Sequence, residues 1–152
     1  MKKRIATLDD VETIRLMYRE FFDFNASLQP YYNQKAESGE YPVNTIQSET
    51  ADIILVEIDG SIAGFAHVLE DKTPPYDSLV PHKFAVCMDL YVLPNYRKKG
   101  VGTTLVKAVK EWAKKRSLDY IELSVMVENE NATRLYKQEE FKAVQSIMRC
   151  TL

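Results

Sequence analysis

The chain has 152 residues, 45% hydrophobic and 28% charged, a size that suits one domain burying roughly 68–70% of its unfolded surface. Twenty basic against twenty-two acidic side chains leave a net charge of −2, so no overall field draws the chain to nucleic acid or to an anionic membrane. Two cysteines, Cys87 and Cys150, exclude a disulfide framework, and five glycines with six prolines exclude collagen-like or low-complexity composition.

Met1-Lys2-Lys3-Arg4 meets Asp9-Asp10 before any apolar stretch, unlike a signal peptide, and no apolar run is long enough to span a bilayer. The expectation is a single soluble, cytoplasmic domain over residues 1–152.

Lys3 to Thr7 reads as a short strand. Asp9 and Asp10 then offer N-cap chemistry to a helix whose apolar positions recur as Leu8, Val11, Ile14, Tyr18, Phe21 and Phe22. Residues 30–42 read as loop, and 43–50 as a further helical turn or two. Ile53–Ile58 and Ile62–Leu69 read as strands joined by Asp59-Gly60, the turn pair of a type I′ hairpin. Both faces of these strands are apolar, which predicts a sheet covered on both sides.

Phe84 to Leu93 forms a long strand ended by Pro94. Val101, Leu105, Ala108, Val109 and Trp112 line one face of a helix running to about Arg116, with lysines opposite. Tyr120–Val125 reads as a strand, Asn129 or Asn131 as the cap of a helix to about Glu139, and Phe141–Met148 as a final strand. The order is that of an α/β domain with a central twisted mixed sheet and helices on both faces.

Chemistry concentrates between Asp89 and Thr104. A strand ends, a basic loop carrying Arg97, Lys98, Lys99, Gly100 and Gly102 follows, and an amphipathic helix begins. Glycines let backbone N–H groups approach a ligand, and a helix start supplies unpaired donors and a positive dipole end. The combination predicts a phosphate or pyrophosphate cradle, with Thr103 and Thr104 as hydroxyl donors. The P-loop pattern is missing because Lys99 precedes the glycines, and a dinucleotide fingerprint would need glycine where Leu105 stands.

Leu90 through Gly102, with Arg97-Lys98-Lys99-Gly100-Val101-Gly102 at its end, resembles the longest motif of the GCN5-related N-acetyltransferase (GNAT) superfamily. Asn131-Ala132-Thr133-Arg134-Leu135-Tyr136 through Phe141 is similar to that family's second conserved helix, in the right order. The resemblance implies the acyl-CoA N-acyltransferase fold and transfer of an acetyl group from acetyl-CoA to a primary amine, on a small molecule or a peptide, by direct attack in a ternary complex.

It implies that Arg97, Lys98, Lys99, Gly100, Val101, Gly102 and Thr103 hold the pyrophosphate, and that Leu90, Tyr91, Val92 and Asn131 bond the pantetheine arm. In such enzymes the strand before the cradle splays from the next one, and the thioester lies in the opening. Tyr136 takes the place of the general acid. Met88 stands where some relatives carry a carboxylate, so Asp89 is the nearest base, although strand alternation is expected to turn it away from the cleft. His67, Glu70 and Tyr91 stay open as alternatives for that role.

Glu140 replaces the glycine that usually precedes the phenylalanine. A homodimer is common among similar proteins. No metal is implied, since His67 and His82 are isolated. Seven of the sixteen aromatic residues lie between Tyr18 and Tyr41, and Phe22, Tyr31, Tyr32 and Tyr41 are candidates for an acceptor pocket to which Glu37 and Glu40 would draw a cation. The alternative function is a CoA-binding sensor or interaction module that has lost turnover, favoured by Met88.

Overall fold

The computed structural model describes all 152 residues. One five-stranded sheet runs in the order β1-β2-β3-β4-β5, with β1 Lys2–Ile5, β2 Ala51–Ile58, β3 Ser61–Lys72, β4 Lys83–Val92 and β5 Ile121–Leu123. The first three pairings are antiparallel and β4–β5 is parallel. Asp59 and Gly60 both take positive φ, 50° and 77°, as the type I′ turn between β2 and β3 requires.

The period-2 alternation sorts the sheet into two buried faces. Ile53, Leu55 and Phe65 pack under α1 (Val11–Leu28), whose Ile14, Met17 and Tyr18 are buried, with α2 (Tyr41–Ile46) beside it. Ile54, Val56, Ala66 and Val68 pack under α3 (Val101–Lys115), on the same face as its Leu105, Val109 and Trp112. The expected mixed sheet with helices on both faces is present. Leu8 is the exception to the expected apolar stripe: it lies in a 3-10 turn ahead of α1 and is exposed.

Helix α3 makes the crossover between β4 and β5 that a parallel pair needs. The parallel ladder is short, joining only Ala85, Val86 and Cys87 to Ile121, Glu122 and Leu123. Beyond Cys87, β4 continues to Val92 against β3 alone, so its other edge opens toward the start of α3.

The chain closes with α4 (Glu130–Gln138), capped by Asn129, whose side chain accepts from the Ala132 N–H at 3.2 Å. Asn131 is therefore inside the first turn of the helix and is not its cap. The final strand expected over Phe141–Met148 does not form. The segment follows α4 without joining the sheet, because none of its backbone groups from Lys142 onward is hydrogen-bonded to a neighbouring strand.

Candidate active site

The loop from Arg97 to the start of α3 leaves strand geometry through two left-handed residues, Lys98 at φ 59° and Gly100 at φ 81°. Gly100 is the residue that most needs to lack a side chain for conformational reasons. Gly102 lacks one for a different reason: a Cβ there would come within 2.9 Å of Leu135 Cδ2, so this glycine lets α4 close on α3. None of the backbone N–H groups from Lys98 to Thr103 has a backbone acceptor, and the first engaged amide is that of Thr104, bonded to the Gly100 carbonyl at 3.0 Å. The result is a run of six donors at the positive end of a 15-residue helix.

The side chains around this run divide. Thr104 donates its hydroxyl to the Gly100 carbonyl at 3.0 Å, whereas the Thr103 hydroxyl has no protein partner. Arg97 turns back from the loop: its Nε donates to the Val92 carbonyl at 3.0 Å and its guanidinium lies over the rings of Phe24 and Tyr91. Lys99 stacks its ammonium on Tyr96. Leu90 and Val92 are half-buried on the open stretch of β4, while Tyr91 is buried among Phe21, Phe24 and Phe65.

A bulge decides where Asp89 points. Asp89 pairs with His67 but Cys87 pairs with Val68, so Met88 is an extra residue on β4. Cys87 belongs to the α3 face and Tyr91 to the α1 face, which strict alternation would forbid for residues four apart. The bulge reverses the alternation and carries Asp89 onto the α1 face. There it accepts hydrogen bonds from the Tyr18 hydroxyl at 2.9 Å and the Tyr41 hydroxyl at 3.3 Å, with His67 Nδ1 at 3.6 Å. The alternation rule alone places this carboxylate on the wrong side. In the structure the reversal shows as Met88, an apolar residue left exposed in the middle of the strand.

His67 is buried and its tautomer follows from its neighbours. Thr45 has one hydroxyl proton and gives it to the Tyr41 carbonyl at 2.9 Å, so the contact of Thr45 Oγ1 with His67 Nε2 at 3.3 Å places a proton on Nε2. Nδ1 then faces Tyr18 and Asp89. Burial, then the Asp89 charge, pushes the phenols of Tyr18 and Tyr41 well above their ordinary value, so both stay donors to the carboxylate. The same two causes push the buried Cys87 thiol up to about 12, which leaves it neutral.

Tyr136 is buried near the point where β4 and β5 part. Its phenol is held above the usual range by burial first and then by Cys87 and Asp89, and its hydroxyl makes no hydrogen bond within the protein. Its position is set by the end of α4. The Phe141 N–H bonds the Tyr136 carbonyl at 2.9 Å and the Glu140 N–H bonds that of Lys137 at 3.1 Å, a Schellman closure with Glu140 at φ 67° and Phe141 packed on Tyr136. Glu140 adopts the conformation that glycine would adopt there.

The candidate acceptor residues separate as well. Tyr41 reaches Asp89, and Phe22 packs against Tyr18 and Phe21 at the rim of the α1 cluster. Tyr31 and Tyr32 are exposed on the loop between α1 and α2, with Arg149 stacked on the Tyr31 ring. Glu37 pairs with Arg19 and Glu40 with Arg15, so both carboxylates already hold cations. Glu70 is bound to Arg116 at 2.6 Å, away from Asp89. Asn131 is exposed. Sequence reasoning missed Tyr18 and Thr45 as members of the Asp89–His67 cluster, because at helix spacing Tyr18 reads as core.

The acetyltransferase (GNAT) family matches residues 12–141. The chain is 27% identical over 140 residues to an uncharacterized N-acetyltransferase of Methanocaldococcus jannaschii, covering 91% of this chain and 59% of that protein. It is 26% identical over 147 residues to one from Archaeoglobus fulgidus, covering 96% of each. A mutant of the BH1408 protein from Bacillus halodurans superposes with a TM-score of 0.92 at 20% identity, covering 100% of this chain and 99% of that one. An aminoglycoside N-acetyltransferase solved in complex with CoA superposes with a TM-score of 0.75 at 15% identity, covering 99% and 98%. The family match takes in both helices that frame the cradle and the whole of β4, and the chain belongs to the acetyltransferase (GNAT) family.

Proposed function

We propose that the protein moves the acetyl group of acetyl-CoA to a primary amine of a small molecule or peptide, by direct attack in a ternary complex. The observation that carries this reading is the run of six amides from Lys98 to Thr103 without backbone acceptors, beside the stretch of β4 that β5 leaves open. These donors fit a diphosphate, and Lys98 and Lys99 add charge. The Leu90–Val92 edge that β5 leaves open fits the amide-bearing pantetheine arm, which would take the place of Arg97 Nε on the Val92 carbonyl. The aminoglycoside enzyme of the same fold, which was solved with CoA, supports that ligand.

Acetyl-CoA supplies an activated acyl group whose thiolate leaves when the C–S bond breaks. Asp89 takes a proton from the ammonium form of the acceptor, directly or through a water, with Tyr18 and Tyr41 fixing the carboxylate by donating to it. Backbone N–H groups of the open β4 edge polarise the carbonyl, and binding both reactants in one cleft supplies the orientation. Tyr136, neutral and otherwise unbonded, gives its proton to the departing sulfur. The proton released as the amide nitrogen forms returns to that phenol through solvent. His67 does not donate to Asp89, since its proton is on Nε2 toward Thr45, so the carboxylate is oriented by the two phenols alone.

A mass-spectrometric screen of amines with acetyl-CoA, followed by thiol release, tests the reading. Tyr136→Phe is expected to lower kcat by at least about tenfold with little change in acetyl-CoA affinity, the pattern of a group acting in the transition state. Full activity in that variant removes Tyr136 from the mechanism. Tight CoA binding without acetyl transfer to any amine would replace the enzyme by the binding module.

A further inference from the structure

Every hydrogen bond and ion-pair contact that reaches the Asp89 carboxylate falls on one of its oxygens. Oδ2 accepts from Tyr18 of α1 at 2.9 Å and from Tyr41 of α2 at 3.3 Å, and His67 Nδ1 of β3 stands 3.6 Å from the same atom. Oδ1 has no partner within the protein. The other groups facing the carboxylate bring no positive charge: Cys87 of β4 is a neutral thiol, Tyr136 of α4 a neutral phenol, and no lysine or arginine pairs with Asp89. How firmly Asp89 holds a proton is therefore set by how many hydrogen bonds its charged form receives.

Thr45 decides whether that number is two or three. A neutral imidazole has one proton for two nitrogens. Thr45 Oγ1 lies 3.3 Å from His67 Nε2, and its own proton goes to the Tyr41 carbonyl at 2.9 Å, one turn back in α2. An oxygen whose proton is committed can only accept, so it draws the imidazole proton to Nε2. Thr45 and His67 are 5 and 2% exposed, so solvent does not compete for the ring. Nδ1 then meets Tyr18 and Asp89 as a bare lone pair, because the Tyr18 proton goes to Asp89. An acceptor left without a donor is costly when buried. On the surface His82 shows the opposite choice, with Nδ1 turned to Asp119 at 2.8 Å.

We propose that Thr45 is a positioning residue of acetyl transfer: by holding the His67 proton on Nε2, it withholds a third hydrogen bond from Asp89 and keeps that carboxylate basic. This rests on Asp89 being the base of the reaction proposed above. An N–H bond of the ammonium acceptor breaks, its electron pair stays on nitrogen, and the proton goes to Asp89 Oδ1. His67 keeps its own proton throughout.

With two histidines in the chain, 15N NMR reads both tautomers, and His82 serves as a reference of opposite sense. Native His67 is expected to carry its proton on Nε2. Thr45→Val keeps the shape of the side chain and removes the acceptor, and Thr45→Ala removes the same oxygen. In both, the proton is expected on Nδ1. The 13C signal of the Asp89 carboxyl, assigned by its loss in Asp89→Asn, is then expected to titrate about one pH unit lower than in the native protein. The plateau of kcat/KM is expected to fall by about three- to tenfold, and its acid limb to move down by the same unit. Thr45→Ser returns the hydroxyl and is expected to return all three readouts. A native His67 protonated on Nδ1 overturns the proposal before any substitution is made. So does a tautomer or an Asp89 titration that stays native without the Thr45 oxygen, or a Thr45→Ser protein that behaves like Thr45→Val. Neither NMR signal needs turnover: full activity in Asp89→Asn removes the base of the proposed reaction, whereas an unmoved tautomer removes only the part of Thr45.

Discussion

At the scale of single residues, two backbone departures place the side chains of the proposed mechanism. The extra residue Met88 turns Asp89 from the α3 face to the α1 face, where Tyr18 and Tyr41 hold it. Asp89→Asn keeps the volume and loses the charge, so kcat is expected to fall by about a hundredfold while the fold and CoA affinity remain, checked by steady-state kinetics beside calorimetry. The second departure is Glu140, left-handed at φ 67° in the closure that places Tyr136. A left-handed L-residue costs about 1–2 kcal/mol, and glycine gives back about 0.5–1 kcal/mol through the unfolded chain. Glu140→Gly is therefore expected to stabilise the protein by about 0.5–1 kcal/mol in urea unfolding without loss of activity; a destabilised variant would mean that the Glu140 side chain contributes more than its backbone costs.

Among the elements, what was readable and what was not follows one division. The β2–β3 hairpin, α3 and α4 stand close to where alternation, helical spacing and Asp59-Gly60 put them, since those signals are local. The β5 strand shrinks to three residues and the last strand does not form, because strand pairing depends on a neighbour that no local pattern encodes. The turn with its unengaged amides was readable from Gly100 and a helix start, whereas the packing role of Gly102 against Leu135 was not. The Asp89 cluster was not, because a bulge reverses parity without any change in hydropathy.

The start of the chain offers a test of element anchoring. Asp10 binds the Arg4 guanidinium through both oxygens at 2.8 Å and accepts the Thr7 N–H at 2.8 Å, joining β1 to the entrance of α1. The hydrogen bonds to Arg4 pull its carboxyl down to about 2 from the ordinary 3.8. A carboxyl that binds its proton less tightly in the folded state adds stability above the unfolded value and loses it as pH falls toward about 2. Asp10→Asn is expected to lower stability at pH 7 and to flatten its decline between pH 4 and 2; an unchanged acid limb in the variant would assign that decline to other carboxylates.

For the whole molecule, a ligand held by the folded chain and not by the unfolded one raises the free energy of unfolding by about 2.7 kcal/mol at a hundredfold excess over its dissociation constant, which for a chain of this size moves Tm upward by about 5–11 °C. The run of six amides without backbone acceptors from Lys98 to Thr103 is assembled only in the folded chain, so CoA is expected to produce a shift of that size in calorimetric scans. Gly102 seats the start of α3 against α4, where a Cβ would come within 2.9 Å of Leu135 Cδ2. Gly102→Ala is therefore expected to lower both the midpoint without ligand and the shift on adding CoA, and a native midpoint that does not move with CoA would remove the diphosphate from that run of amides.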